Sequence, residues 1–406
     1  MRKRVLVLAA VGLLMAAVLG GCSGGGTDAA AGLSAGGEAS SAGGETSSAG
    51  TETAAGAGTS SADGEMPPDD GDSDSSGEAA ISEEPGTAAG TEALTGSLTV
   101  NGGQEIPLAS LEHLTGSEDA PVVYFISDIT PESLLEIYGA LDWTPTGRVA
   151  VKMSTGEPPA SNYLQPELIG DLVQSVNGTI VECNTAYGGS RAETAMHYQV
   201  AEDHGFTQIA DVQILDENGS MSLPVEGGTR LTEDLVGAAF ADYDSYLVLS
   251  HFKGHAMAGY GGAIKNISIG LGSSEGKSWI HTGGTGTSGI MGDQDAFLEA
   301  MGDAGKAVSD YLGNGERITY ISVLNRLSID CDCDGNPAEP DIHDLGIMAS
   351  NDPVALDQAC IDLASQAEGS ESLMARIQDR NGLHTLENAE AIGLGSREYR
   401  LVSLDQ

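Results

Sequence analysis

Tyr246-Leu247-Val248-Leu249-Ser250 is a run of strand length, and the chain continues from it as His251-Phe252-Lys253-Gly254-His255. Apolar or β-branched runs of the same length occupy 122–126, 149–153, 179–183, 318–323 and 345–349. Helical patterns fall between them. Thr130-Pro131 opens 132–141 with proline at the first helical position, and 166–176 follows. Ser190 with Glu193 reads as a capping box for a helix through His204. Residues 293–312 and 353–364, the latter capped by Asp352, supply two more helices. Strands alternating with helices predict an α/β fold, a mainly parallel sheet with helices on both faces. In such sheets ligands sit beyond the carboxyl ends of the strands, so the loops after these runs are where chemistry is expected.

The stretch before the first strand is of another kind. Arg2, Lys3 and Arg4 precede an apolar segment, 5–19, of signal-peptide length, which ends Leu19-Gly20-Gly21-Cys22. This resembles a bacterial lipobox, which implies lipidation at Cys22 and a protein anchored to the bacterial cell membrane, facing outside the cytoplasm. Residues 23–93 are mostly Gly, Ala, Ser and Thr with 14 acids and no Lys or Arg, and besides proline their only larger apolar side chains are Leu33, Met66 and Ile81. Such a segment cannot bury enough apolar surface to fold, so it reads as a disordered tether between the signal at 1–22 and one α/β domain at 94–406. The whole chain has 406 residues, 17 basic against 60 acidic side chains and a net charge of −43. The domain alone is −32. No face can be broadly basic, which excludes nucleic acid as a partner.

Against that charge, the segment after the central strand stands out. His251, Lys253 and His255 alternate, so they share a face if the strand runs on. Gly259-Tyr260-Gly261-Gly262-Ala263-Ile264-Lys265 follows, then Gly276-Lys277 and His281. Gly261 and Gly262 allow backbone amides to approach a ligand, and a helix beginning there would direct its positive end to an anion. Lys253, Lys265 and Lys277 are therefore candidate contacts for a small anionic ligand. A nucleotide-triphosphate loop is excluded, because Gly270 and Gly272 stand at the wrong distances from Gly276-Lys277-Ser278.

The segments Val151-Lys152-Met153-Ser154-Thr155-Gly156-Glu157-Pro158, Glu182-Cys183-Asn184-Thr185-Ala186-Tyr187, His251 to His255, Gly261 to Asn266, Asp330-Cys331-Asp332-Cys333 and Ile347 to Ala355 resemble the domain of unknown function 362 family over roughly 120–395. More distantly, the glycine run and its lysine are similar to the lactate racemase family. That resemblance implies Lys265 as the residue tethering a nickel-pincer nucleotide, His281 as the nickel ligand and His255 as the general acid/base.

Asp330-Cys331-Asp332-Cys333-Asp334-Gly335 carries three readings. Cys331 and Cys333, with His343 or Cys183 brought in by the fold, form a soft-metal site. Alternatively Asp330, Asp332, Asp334 and Asp341 form a calcium loop. The third is a solvated acidic turn with one cysteine pair oxidised. Calcium, zinc and nickel are thus the candidate ions. No cysteine lies between Cys183 and Cys331, which excludes a four-cysteine ferredoxin-type cluster. Two functions fit: an exported, metal-assisted enzyme on small hydroxy-acid-like substrates, or a non-catalytic cell-surface protein that binds a metal ion or small anion.

Overall fold

The computed structural model describes residues 95–405. The signal at 1–22, Cys22 and the tether at 23–93 lie outside the described residues. An eight-stranded sheet runs Arg400–Ser403, Val122–Ile126, Gly346–Ser350, Ile318–Leu324, Ser245–His251, Val149–Lys152, Thr179–Glu182, Val212–Ile214. Only Gly346–Ser350 runs antiparallel to its two neighbours; every other pairing in this sheet is parallel. The α/β fold with a mainly parallel sheet is therefore as expected.

Alternate side chains of each strand feed two separate cores. Ala150, Val181, Tyr246, Val248 and Tyr320 point to one face, where helices Gln294–Tyr311 and Pro353–Ser365 cover them. Val151, Ile180, Leu247, Leu249 and Ile321 point to the other, against Pro131–Ala140 and Pro166–Ser175. Burial on both faces explains why these strands read as continuous apolar runs. Thr130 caps the first of these helices by accepting from the Ser133 amide, and Asp352 accepts from Val354 and Ala355.

The capping box is corrected. The third helix is Thr194–Asp203 with Glu193 at its N-cap, and the Ser190 amide donates instead to Glu157 Oε1 at 2.6 Å. The chain also leaves the central strand at His251. It pairs again as a small hairpin, Lys253–His255 against Gly259–Gly261, so His251, Lys253 and His255 are not one strand face. Among the described residues no helix is long and apolar enough to cross a membrane.

Candidate functional site

Three parallel strands end side by side, and their last residues, Lys152, Glu182 and His251, open into one cavity of about 140 Å3. That is several times the room one water needs, which matches a ligand of a few heavy atoms. Four cations line it, Lys152, Arg191, Lys265 and Lys277, against two carboxylates, Glu182 and Asp332. In a domain of net charge −32 this is a local inversion of sign.

Both carboxylates are already engaged. Glu182 accepts from the Thr155 amide and, at 2.6 Å, from Thr155 Oγ1; Arg191 Nη1 lies 3.5 Å and His197 Nε2 3.5 Å from its Oε1. Burial alone would raise this carboxyl, but Arg191, then His197 and Lys152, hold it well below the usual range. Arg191 also donates through Nε to Glu157 Oε2 at 3.1 Å and through Nη1 to Ser154 Oγ at 3.2 Å. Lys152 Nζ donates to the Met153 carbonyl at 2.6 Å, and burial pushes its pKa down to about 8.

Lys277 Nζ donates to the Gly272 carbonyl at 2.6 Å, and the Lys277 carbonyl accepts from His281 Nδ1 at 2.6 Å. That bond fixes the His281 tautomer. Its Nε2 carries a lone pair, the arrangement found in metal-binding histidines, and burial pushes its pKa down to about 4. His255 is the opposite case. Its Nδ1 accepts from the amides of Ala258 at 2.9 Å and Met257 at 3.3 Å, so Nε2 bears the proton. Burial, with Lys265 and His281 nearby, holds the ring neutral, its pKa well below the ordinary value. A ring fixed this way donates a hydrogen bond to a ligand; it has no free nitrogen with which to accept a proton. In this arrangement His255 is a donor through Nε2, and the acid/base role expected of it requires Nδ1 to give up the Ala258 and Met257 amides.

The glycine segment is corrected in a similar way. Gly261 and Gly262 do line the cavity, but the first amides of the short helix Ala263–Ile267 are taken. Ala263 and Ile264 donate to the Asp357 carboxylate at 2.6 and 3.0 Å. A buried internal carboxyl, its pKa pushed up to about 7 by burial, occupies the position anticipated for a ligand.

The four aspartates do not converge as the calcium reading requires. Asp332 bonds Lys253 Nζ at 2.8 Å and faces His251 Nδ1 at 3.1 Å; Asp330 accepts from the Ala338 amide and lies 3.5 Å from Arg376. Asp334 accepts from the Asn336 amide, and Asp341 from Ser372. The four carboxylates turn to different partners. Lys253 is accordingly neutralised and stands apart from the cavity wall. Cys331 and Cys333 are joined as a disulfide, in keeping with the third reading, while Cys183 and Cys360 are free and buried. Neither Cys183 nor His343 joins them: Cys183 Sγ donates to the Leu271 carbonyl at 3.2 Å with burial pushing its thiol up to about 12, and His343 bonds Asp344 and Gln104. His255, Cys331 and Cys333 do bring potential ligand atoms within 4.8 Å of one another, a grouping compatible with a metal.

Lys152, Glu182 and Arg191 were missed as site residues. The first two close strands that read as core. Arg191 sits alone in a Gly/Ser-rich loop. The carboxyl-end rule applied to 149–153 and 179–183 would have found the first two.

A family model described as "Domain of unknown function (DUF362)" matches residues 149–362. No curated protein matches the chain. Among solved structures, the lactate racemase apoprotein from Thermoanaerobacterium thermosaccharolyticum is similar at 13% identity and a TM-score of 0.35, over 65% of this chain and 61% of that one. A protein from Thermotoga maritima is similar at 9% identity and a TM-score of 0.32, over 64% and 58%. The chain thus spans about three fifths of the length of each.

Proposed function

The chain belongs to the domain of unknown function 362 family; we propose that its cleft binds and transforms a small carboxylate-bearing molecule, hydroxy-acid-like in size, at the outer face of the cell membrane. The convergence of Lys152, Arg191, Lys265 and Lys277 on one small cavity carries this reading. Anchoring through a lipid on Cys22 rests on the lipobox alone. His255 contributes its Nε2–H as a donor to the bound anion. A second reading, capture without turnover, is favoured by that same locked ring, since it removes one expected acid/base. The discriminating experiment is titration of small 2-hydroxy and 2-oxo acids by calorimetry, followed by proton NMR of the bound 2-hydroxy acids in heavy water. Binding with loss of the α-proton signal supports an enzyme. Binding with unchanged signals leaves a capture protein, and no binding ends both readings.

Affinity for such an anion should fall as pH rises through about 8. Burial pushes both Lys152 and Lys265 down to about 8, against the opposing pull of Glu182 on Lys152 and together with the charges of Lys152 and Arg191 on Lys265. Below that pH both amines are charged and attract the anion; above it they are neutral. Calorimetry on either side of pH 8 checks this, and an affinity that rises with pH contradicts it.

A metal fits the cleft in a conditional way. His281, with Nε2 free, is ready to hold one. The Cys331–Cys333 disulfide is not, but reduction would supply two thiolates, while His255 would have to release the Ala258 and Met257 amides. Thiolate and imidazole donors favour zinc or nickel over calcium. A bound ion would supply Lewis-acid polarisation of a ligand oxygen. Elemental analysis should therefore find more zinc or nickel retained after phosphine reduction than before, and the increment should vanish in Cys331→Ser. Equal retention in both redox states would exclude the cysteine pair as ligands.

A further inference from the structure

Five lysines fall within the described residues, and four have partners. Lys152 and Lys277 donate to backbone carbonyls, Lys253 to Asp332 and Lys306 to Asp310. Lys265 has neither a hydrogen bond nor an ion pair, and its side chain borders the cavity between the other cations. An amine in such a place is unusual. Ammonium groups that serve packing or surface charge find acceptors, and this one is flanked by the carboxylate-binding set instead.

We propose that Lys265 is a nucleophile that forms an imine with the carbonyl of a small 2-oxo acid held in the cleft. The inference rests on the anion-binding reading and names its substrate class. Lys152, Arg191 and Lys277 would attract the carboxylate, which sets the adjacent C2 carbonyl against the one amine not already committed. The His255 Nε2–H is the donor available to polarise the carbonyl oxygen. The Lys265 nitrogen lone pair forms the C–N bond, and the C–O bond then breaks. The carbonyl oxygen leaves as water with both protons of the neutral amine, so the step is a condensation and no electrons are gained or lost. Burial, and then the charges of Lys152 and Arg191, push the Lys265 pKa down to about 8. At pH 7 about a tenth is therefore free amine, far more than for an ordinary lysine, the same device by which desolvation and cationic neighbours activate lysine elsewhere.

The test is reductive trapping on the full-length protein, with pyruvate as the probe and cyanoborohydride as the hydride source. The expected result is one added reduced-pyruvate mass per chain, mapped to the peptide carrying Lys265. It should be lost in Lys265→Met and suppressed by lactate, which binds as an anion but has no carbonyl. Peptide mapping of the unmutated protein decides the site even if the variant folds poorly. If calorimetry shows that pyruvate binds while no adduct forms, or the adduct lies on Lys306 outside the cleft, the imine is overturned and the anion cleft survives. If pyruvate neither binds nor is trapped, both fail.

Discussion

Arg191→Ala should lose about 3–5 kcal/mol of folding stability, the effect of removing one partner from a buried ion cluster. The guanidinium is buried and lies between two buried carboxylates, 3.1 Å from Glu157 Oε2 and 3.5 Å from Glu182 Oε1. Alanine would leave both carboxylates buried without their shared counter-ion. Lys152, at 3.9 Å from Glu182 Oε2, can compensate only one of them. Arg191→Lys keeps the charge but not the planar fork that serves Glu157, Glu182 and Ser154 together, so it should restore only part of the loss. The pH dependence has a definite sign. The folded Glu182 carboxyl is held well below its ordinary value, so its contribution is fully present above the unfolded carboxylate range and disappears as pH falls through the folded value. The gap between wild type and Arg191→Ala should thus narrow on acidification. Denaturant unfolding of the two proteins across that range measures it, and an alanine variant within about 0.5 kcal/mol of wild type at neutral pH would contradict the ion-cluster account.

The same arginine shows where a linear reading stops. Strands such as Tyr246–Ser250 were legible because burial on both faces leaves an uninterrupted apolar run, and the rule that ligands lie past strand carboxyl ends pointed to the side of the sheet where the cavity opens. The partners that decide the roles of many polar residues are distant in sequence. Glu157 and Arg191 are 34 residues apart, Asp332 and Lys253 are 79 apart, and Asp357 reaches the Ala263 amide across 94. Spacing made the aspartates at 330, 332 and 334 look like a set of cation ligands, although each had a protein partner elsewhere. The Ser190 capping box failed for the same reason, its amide having been claimed by Glu157. Short edge elements, Val212–Ile214 among them, are too brief to show any periodicity.

Asp332 is where the competing readings meet most sharply, since a calcium ligand and an internal counter-ion respond in opposite ways to mutation. As a counter-ion, Asp332→Ala should destabilise by about 3–5 kcal/mol, because Lys253 Nζ, 2.8 Å away, is buried and keeps only the Asn162 carbonyl at 3.2 Å. His251 would also lose the acceptor at its Nδ1, while Nε2 keeps its bond to the Asn325 carbonyl. The backbone need not move: the Asp332 carbonyl accepts from the Glu157 amide at 2.8 Å and from Ser161 Oγ at 3.0 Å, so the side chain can be removed without releasing the loop. Pairing Asp332→Leu with Lys253→Met removes both charges at once and should recover most of the lost stability, as apolar replacements of buried pairs commonly do. Burial alone would raise the Asp332 carboxyl, yet Lys253 and His251 hold it well below the usual range, so its contribution too is present above the unfolded carboxylate range and is lost as pH falls. A calcium ligand would behave otherwise: the alanine variant would equal wild type in chelator and fall behind only when calcium is added. Unfolding curves with and without calcium, for the single and paired variants, separate the two; a single variant as stable as wild type in chelator would sink the counter-ion assignment.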